Sequence, residues 1–116
     1  EIPYTSFIAL ESFIKNNKDT ATSFLKALKK AHEFMAEHTE YEIAESIVKQ
    51  FPSTSITSIE ASLKSYKKID AWRTNLQASE ASFDRLMDIM KYAGELTDKA
   101  PFDKLVDNTL AKEVFG

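Results

Sequence analysis

The chain has 116 residues, enough for one domain with its own core, and its 43% hydrophobic and 28% charged residues exclude a disordered composition. Its net charge of −3 comes from 15 basic and 18 acidic residues mixed along the chain; no basic stripe collects phosphates, which argues against a nucleic-acid partner. Cysteine is absent, which removes disulfides, zinc–thiolate sites and cysteine nucleophiles together and leaves the redox compartment open.

Only 2 glycines and 3 prolines occur, against average usage of about 7% and about 5%. So few turn-makers imply few, long elements and favour helices over a many-stranded sheet. The longest uninterrupted apolar run, Phe7-Ile8-Ala9-Leu10, is far short of the roughly 20 residues that span a bilayer. The chain opens at Glu1-Ile2-Pro3 without a methionine, and is expected to have been processed or cut from something larger.

In chain order, Ile2 to Leu10 is rich in β-branched and aromatic residues, and Pro3 suits a strand start. A short strand is expected here, followed by a helical turn at Glu11–Ile14 and a breaker cluster at Asn16-Asn17-Lys18. Asp19 or Thr20 caps the first long helix, expected to run to about Glu37 with Phe24, Leu28, Ala31 and Met35 as its apolar stripe. Thr39 with Glu42 three residues on is a capping box for the next helix. Its buried face is read as Tyr41, Ala44, Ile47, Val48 and Phe51, and Pro52 ends it.

Ser53, Thr54 or Ser55 caps a third helix to about Lys68, with Ile56, Ile59, Leu63 and Tyr66 as its stripe. Ile69 to Trp72 fall at or just past its end, and residues 73–78 read as a loop. Ser79 caps a fourth helix lined by Phe83, Leu86, Met87, Met90 and Ala93, with Gly94 placed for a left-handed C-terminal cap. After Pro101, Phe102–Val106 makes a further turn or two and Thr109–Phe115 a last short helix.

Little in this pattern can carry chemistry. His32 and His38 are six residues apart, about 240° around a helix, so they cannot converge on one ion as the four-residue spacing of a zinc-protease helix does. The carboxylates fall at helix caps and on polar faces, none in an apolar setting that would tune it for acid–base work. No Gly-x-Ser-x-Gly elbow and no glycine-rich phosphate loop occurs. The chain therefore reads as non-catalytic, with no cofactor. Tyr4 and Trp72 stand apart from every helix stripe. Their rings could face a ligand, or could pack with the polar tip hydrogen-bonded.

One ordered series of segments goes further. It comprises Ile2-Pro3-Tyr4-Thr5-Ser6-Phe7, Phe13-Ile14-Lys15-Asn16-Asn17, Phe24 to Ala31, Tyr66-Lys67-Lys68 with Asp70-Ala71-Trp72, and Ser79-Glu80 with Ser82-Phe83. It closes on Ala93-Gly94-Glu95-Leu96, Pro101 to Asn108 and Ala111-Lys112-Glu113. This order resembles the C-terminal part of solute-binding proteins of ABC importers, in the nitrate, sulfonate, taurine and thiamine-pyrimidine group (the NMT1/THI5-like family). The similarity runs from Pro3 to Glu113.

The resemblance implies a fragment of an α/β two-lobed fold of the type II periplasmic-binding-protein kind. The chain as presented would be mainly α, with about four main helices plus one short strand. Residues 1–17 would be a hinge strand and turn, and residues 18–116 the helical part. The resemblance also implies a small-molecule ligand held by the full-length protein, with Tyr4, Thr5 and Trp72 near it. An ABC permease would be the partner, and the location extracytoplasmic, in the periplasm or on the surface as a lipoprotein. The lobe and middle sequence of the family are missing, so the chain alone should hold ligand poorly, and a cut face should favour self-association. The pyrimidine-synthesising branch relies on histidine and cysteine positions that find no match here, and its activity is not carried over. The competing reading is a stand-alone helical module that docks a partner protein on an apolar groove.

Overall fold

A computed structural model describes residues 1–116. It contains seven α-helices: α1 (Glu11–Asn16), α2 (Lys18–Glu37), α3 (Glu40–Ile47), α4 (Ile56–Lys68), α5 (Glu80–Tyr92), α6 (Phe102–Leu105) and α7 (Thr109–Phe115), with a 3₁₀ turn at Val48–Gln50. No helix is long and apolar enough to cross a membrane. The chain divides into two units, one made of Glu1–Leu25 with Leu76–Gly116, the other of Lys26–Asn75.

The strand expected at Ile2–Leu10 does not form, and with it the α/β assignment is corrected to an all-helical chain: residues 1–10 carry no regular structure, and no strand exists elsewhere. A strand satisfies its backbone groups only through a neighbouring strand, and none is present to pair with. Strand-favouring composition therefore has nothing to act on. Ile2, Tyr4, Phe7, Ile8 and Leu10 are left exposed. The segment is nonetheless in contact with the rest of its unit: Phe7 packs edge-to-face on Phe24 with ring centroids 4.9 Å apart, and Arg85 Nη1 donates to the Glu1 carbonyl at 2.9 Å.

The rest of that first unit is held by α5, α6 and α7. Ser79 caps α5 by accepting from the Ser82 N–H, as the sequence implies. Its far end closes in a Schellman motif: the Gly94 N–H donates to Lys91 O and the Glu95 N–H to Met90 O, with Gly94 at φ +80°. Phe83 meets Phe102 of α6 edge-to-face at 5.5 Å. Lys99 bridges Asp84 and Asp88 at 2.8 and 2.7 Å, which raises its pKa, chiefly through the Asp84 and then the Asp88 hydrogen bond. The Asn108 side chain clamps Ala78, accepting its N–H at 3.0 Å and donating to its carbonyl at 2.8 Å. Met87, Leu110 and Ala111 are the buried apolar side chains of this unit.

The second unit is built on the α3–α4 pair, whose core is Ile43, Ala44, Ile59 and Leu63. The Thr39 box closes as expected: Thr39 Oγ1 accepts the Glu42 N–H at 3.2 Å, and Glu42 Oε2 accepts the Thr39 N–H at 2.8 Å. The Thr39 backbone N–H first, and then the Thr39 hydroxyl, which donates to the same Oε2 at 3.1 Å, hold the Glu42 carboxyl below its ordinary pKa. Ser55 is the cap of α4, accepting from Ser58 N–H.

The expected buried face of α3 is only partly right. Ala44 is buried and Ile47 and Val48 half-buried, but Tyr41 and Phe51 are exposed and the deepest side chain is Ile43, 3% exposed. The cause is local. The helix gives way to a 3₁₀ turn at Val48, whose three residues per turn rotate Phe51 off the face that a 3.6 period assigns it.

Candidate functional site

Trp72 owes its position to the end of α4. After Lys68, Ile69 caps the helix, Asp70 takes the left-handed conformation at φ +51°, and the chain reverses. The Asp70 N–H donates to Lys67 O at 3.2 Å and the Ala71 N–H to Tyr66 O at 3.0 Å, a Schellman motif with aspartate where glycine is usual. Aspartate tolerates this region better than most L-residues. The reversal lays the Trp72 ring against Tyr66, edge-to-face with centroids 5.5 Å apart, and packs it on the α3–α4 core.

Beside that core lies an open cleft of about 470 Å³, lined by Ala31, Phe34, Met35, Ile43, Ser46, Ile47, Leu63 and Trp72. The volume falls in the range of small-molecule sites, and the lining is apolar and aromatic as such sites are. Ser46 brings a hydroxyl to the lining, which already donates to Ile43 O at 2.6 Å and leaves lone pairs to accept. Charge stays outside the lining. Lys67 Nζ lies 3.3 Å from Glu40 and donates to His38 O at 3.4 Å. The Glu40 carboxyl is held below its ordinary pKa by its own backbone N–H first and by the Lys67 ammonium second. An arrangement of this kind can enclose an apolar or aromatic group by contact.

The expected ligand residues part company here. Trp72 lines the cleft and is half-buried. Tyr4 is 98% exposed and Thr5 is exposed, both in the first ten residues, which have no regular secondary structure. They belong to the other unit from Trp72. His32 and His38 lie six residues apart on and just after α2, and His38 stacks on Phe34 rather than facing another ligating side chain. Phe34, Ile43 and Ser46 line the cleft although they are not among the expected site residues. The signal for Phe34 was its place three residues after Ala31 and beside Met35; for Ile43, its spacing of four from Ile47.

No protein-family model matches the chain, and no solved structure matches it. Over 114 residues, 98% of this chain, it is 35% identical to a protein of Bacillus subtilis (strain 168) named "Putative binding protein YtlA". The chain spans about a third, 34%, of that protein's length.

Proposed function

We propose that the chain is part of a non-catalytic, extracytoplasmic solute-binding protein that delivers a small molecule to an ABC permease, in the NMT1/THI5-like family. The observation that carries the reading is the alignment of 98% of the chain with a protein named for binding. The ordered segments from Pro3 to Glu113 support it, and the apolar cleft with Trp72 suits the aromatic ring of a pyrimidine precursor among the ligand classes. Tyr4, Thr5 and Trp72 are the residues proposed to contact ligand in the whole protein. The ligand class is a sulfonate, nitrate or a thiamine-pyrimidine precursor.

The test is a thermal-shift series on the full gene product carrying this chain, with taurine and other sulfonates, nitrate, and pyrimidine precursors of thiamine. A ligand present at about 100 times its dissociation constant adds about 2.7 kcal/mol, a clear rise in midpoint. Absence of any rise across the three classes, with the protein folded, ends the reading. A second reading, docking of a partner protein's apolar side chains, is favoured by the openness of the same cleft to solvent through Ala31 and Phe34, both exposed. A pull-down partner whose binding is lost in Phe34→Ser, without any small-molecule shift, selects it.

A further inference from the structure

Phe34 and His38 lie one helical turn apart at the C-terminal end of α2, and their rings stack with centroids 3.9 Å apart and planes at 21°. His38 Nδ1 is 2.8 Å from the Phe34 carbonyl oxygen, which also accepts the His38 backbone N–H at 3.1 Å. A carbonyl can only accept, so the ring nitrogen facing it must carry the proton. The imidazolium always meets that condition; the neutral ring meets it in one of its two tautomers. Positive charge on the ring also strengthens the hydrogen bond, attracts the face of the Phe34 ring, and sits at the negative end of α2. Loss of the proton weakens all three together.

Phe34 is also a wall of the apolar cleft beside Met35, Ile43 and Trp72. We propose that the protonation of His38 latches the Phe34 ring in place on the cleft, so that the cleft wall is fixed in acid and loosened in base. This goes beyond the solute-binding reading and does not depend on it. The charged groups around the imidazole come from three helices. Glu37 precedes it on α2, Glu42 of α3 responds to its charge, and Lys67 of α4 reaches its carbonyl while paired with Glu40.

The experiment is an NMR titration of the chain from about pH 5 to pH 8, where histidine changes charge. Cross-peaks between the Phe34 and His38 rings are expected at the acid end and lost at the basic end. The Phe34 ring shifts should share one midpoint with the His38 Cε1 proton. His38→Gln should abolish the pH dependence of Phe34, and His32→Gln should leave it intact. Ring cross-peaks that persist unchanged over the range overturn the proposal. So does a Phe34 titration that survives in His38→Gln. If that variant fails to fold, a Phe34 midpoint differing from that of His38 in the wild type overturns it equally.

Discussion

Trp72 and Tyr4 start from the same sequence argument, an aromatic ring off every helix stripe, and end in opposite settings. Trp72 packs on Tyr66 and the α3–α4 core, whereas Tyr4 is 98% exposed. Removing each ring should therefore separate them cleanly. Trp72→Ala deletes a half-buried ring and is expected to cost roughly 2–3 kcal/mol, toward or below the lower end of the range for large aromatic truncations in cores. Tyr4→Ala should stay within about 0.5 kcal/mol, as surface changes do. Urea denaturation of the two variants gives both numbers, and equal costs would contradict the placement of Trp72. Sequence alone could not tell these rings apart, because burial of an off-stripe residue is decided by which way the chain turns next.

At the scale of elements, two helix ends make predictions of their own. Asp70 holds a left-handed φ of +51° at the end of α4, a position where glycine avoids the clash of Cβ with the backbone. Asp70→Gly should raise stability by about 0.5–1 kcal/mol, the relief of that strain exceeding the added freedom of the unfolded chain. A fall in midpoint would show that the aspartate side chain contributes more than its backbone costs. The second prediction concerns the capping box. The folded pKa of Glu42 is depressed below 4.5 by the Thr39 N–H and hydroxyl. A depressed carboxyl contributes stability that is present above the unfolded value and is lost as pH falls through the folded one. The gap between wild type and Glu42→Gln should be open at neutral pH and close as the pH drops below 4.5. A gap independent of pH would contradict the charge-based account.

For the whole molecule, the notable fact is how little is deeply buried: no large side chain is fully enclosed. Phe7, Ile8, Leu10, Ile69 and Tyr92 are among the large apolar residues left more than two-thirds open. Apolar surface of this extent promotes association. The isolated chain should therefore sediment as a mixture whose mean mass rises with concentration, and mild detergent should reverse the effect. A single monomeric species at every concentration would contradict it.

What the amino-acid order determined by itself is local. The helix starts at Thr39 and Ser79, the stop at Gly94 and the last helix at Thr109 are legible, because caps and left-handed turns act within four or five residues. The start of α4 is narrowed to three residues, of which Ser55 serves, and α2 begins at Lys18, ahead of the cap expected at Asp19 or Thr20. The residues that matter for the cleft were legible only in part. Ile59, Leu63 and Met87 lie on stripes that a 3.6 period predicts, while Ile43 is buried where Tyr41 is expected, and Phe51 leaves the face past the 3₁₀ turn at Val48. Tertiary structure alone decided the rest. The apparent strand at Ile2–Leu10 stays irregular because its hydrogen bonds require a neighbouring strand, which no local signal can supply. The cleft exists because the Asp70 turn swings Trp72 onto a core built from residues up to 29 positions earlier, beginning at Ile43, and contacts over that separation are written in packing, not in spacing.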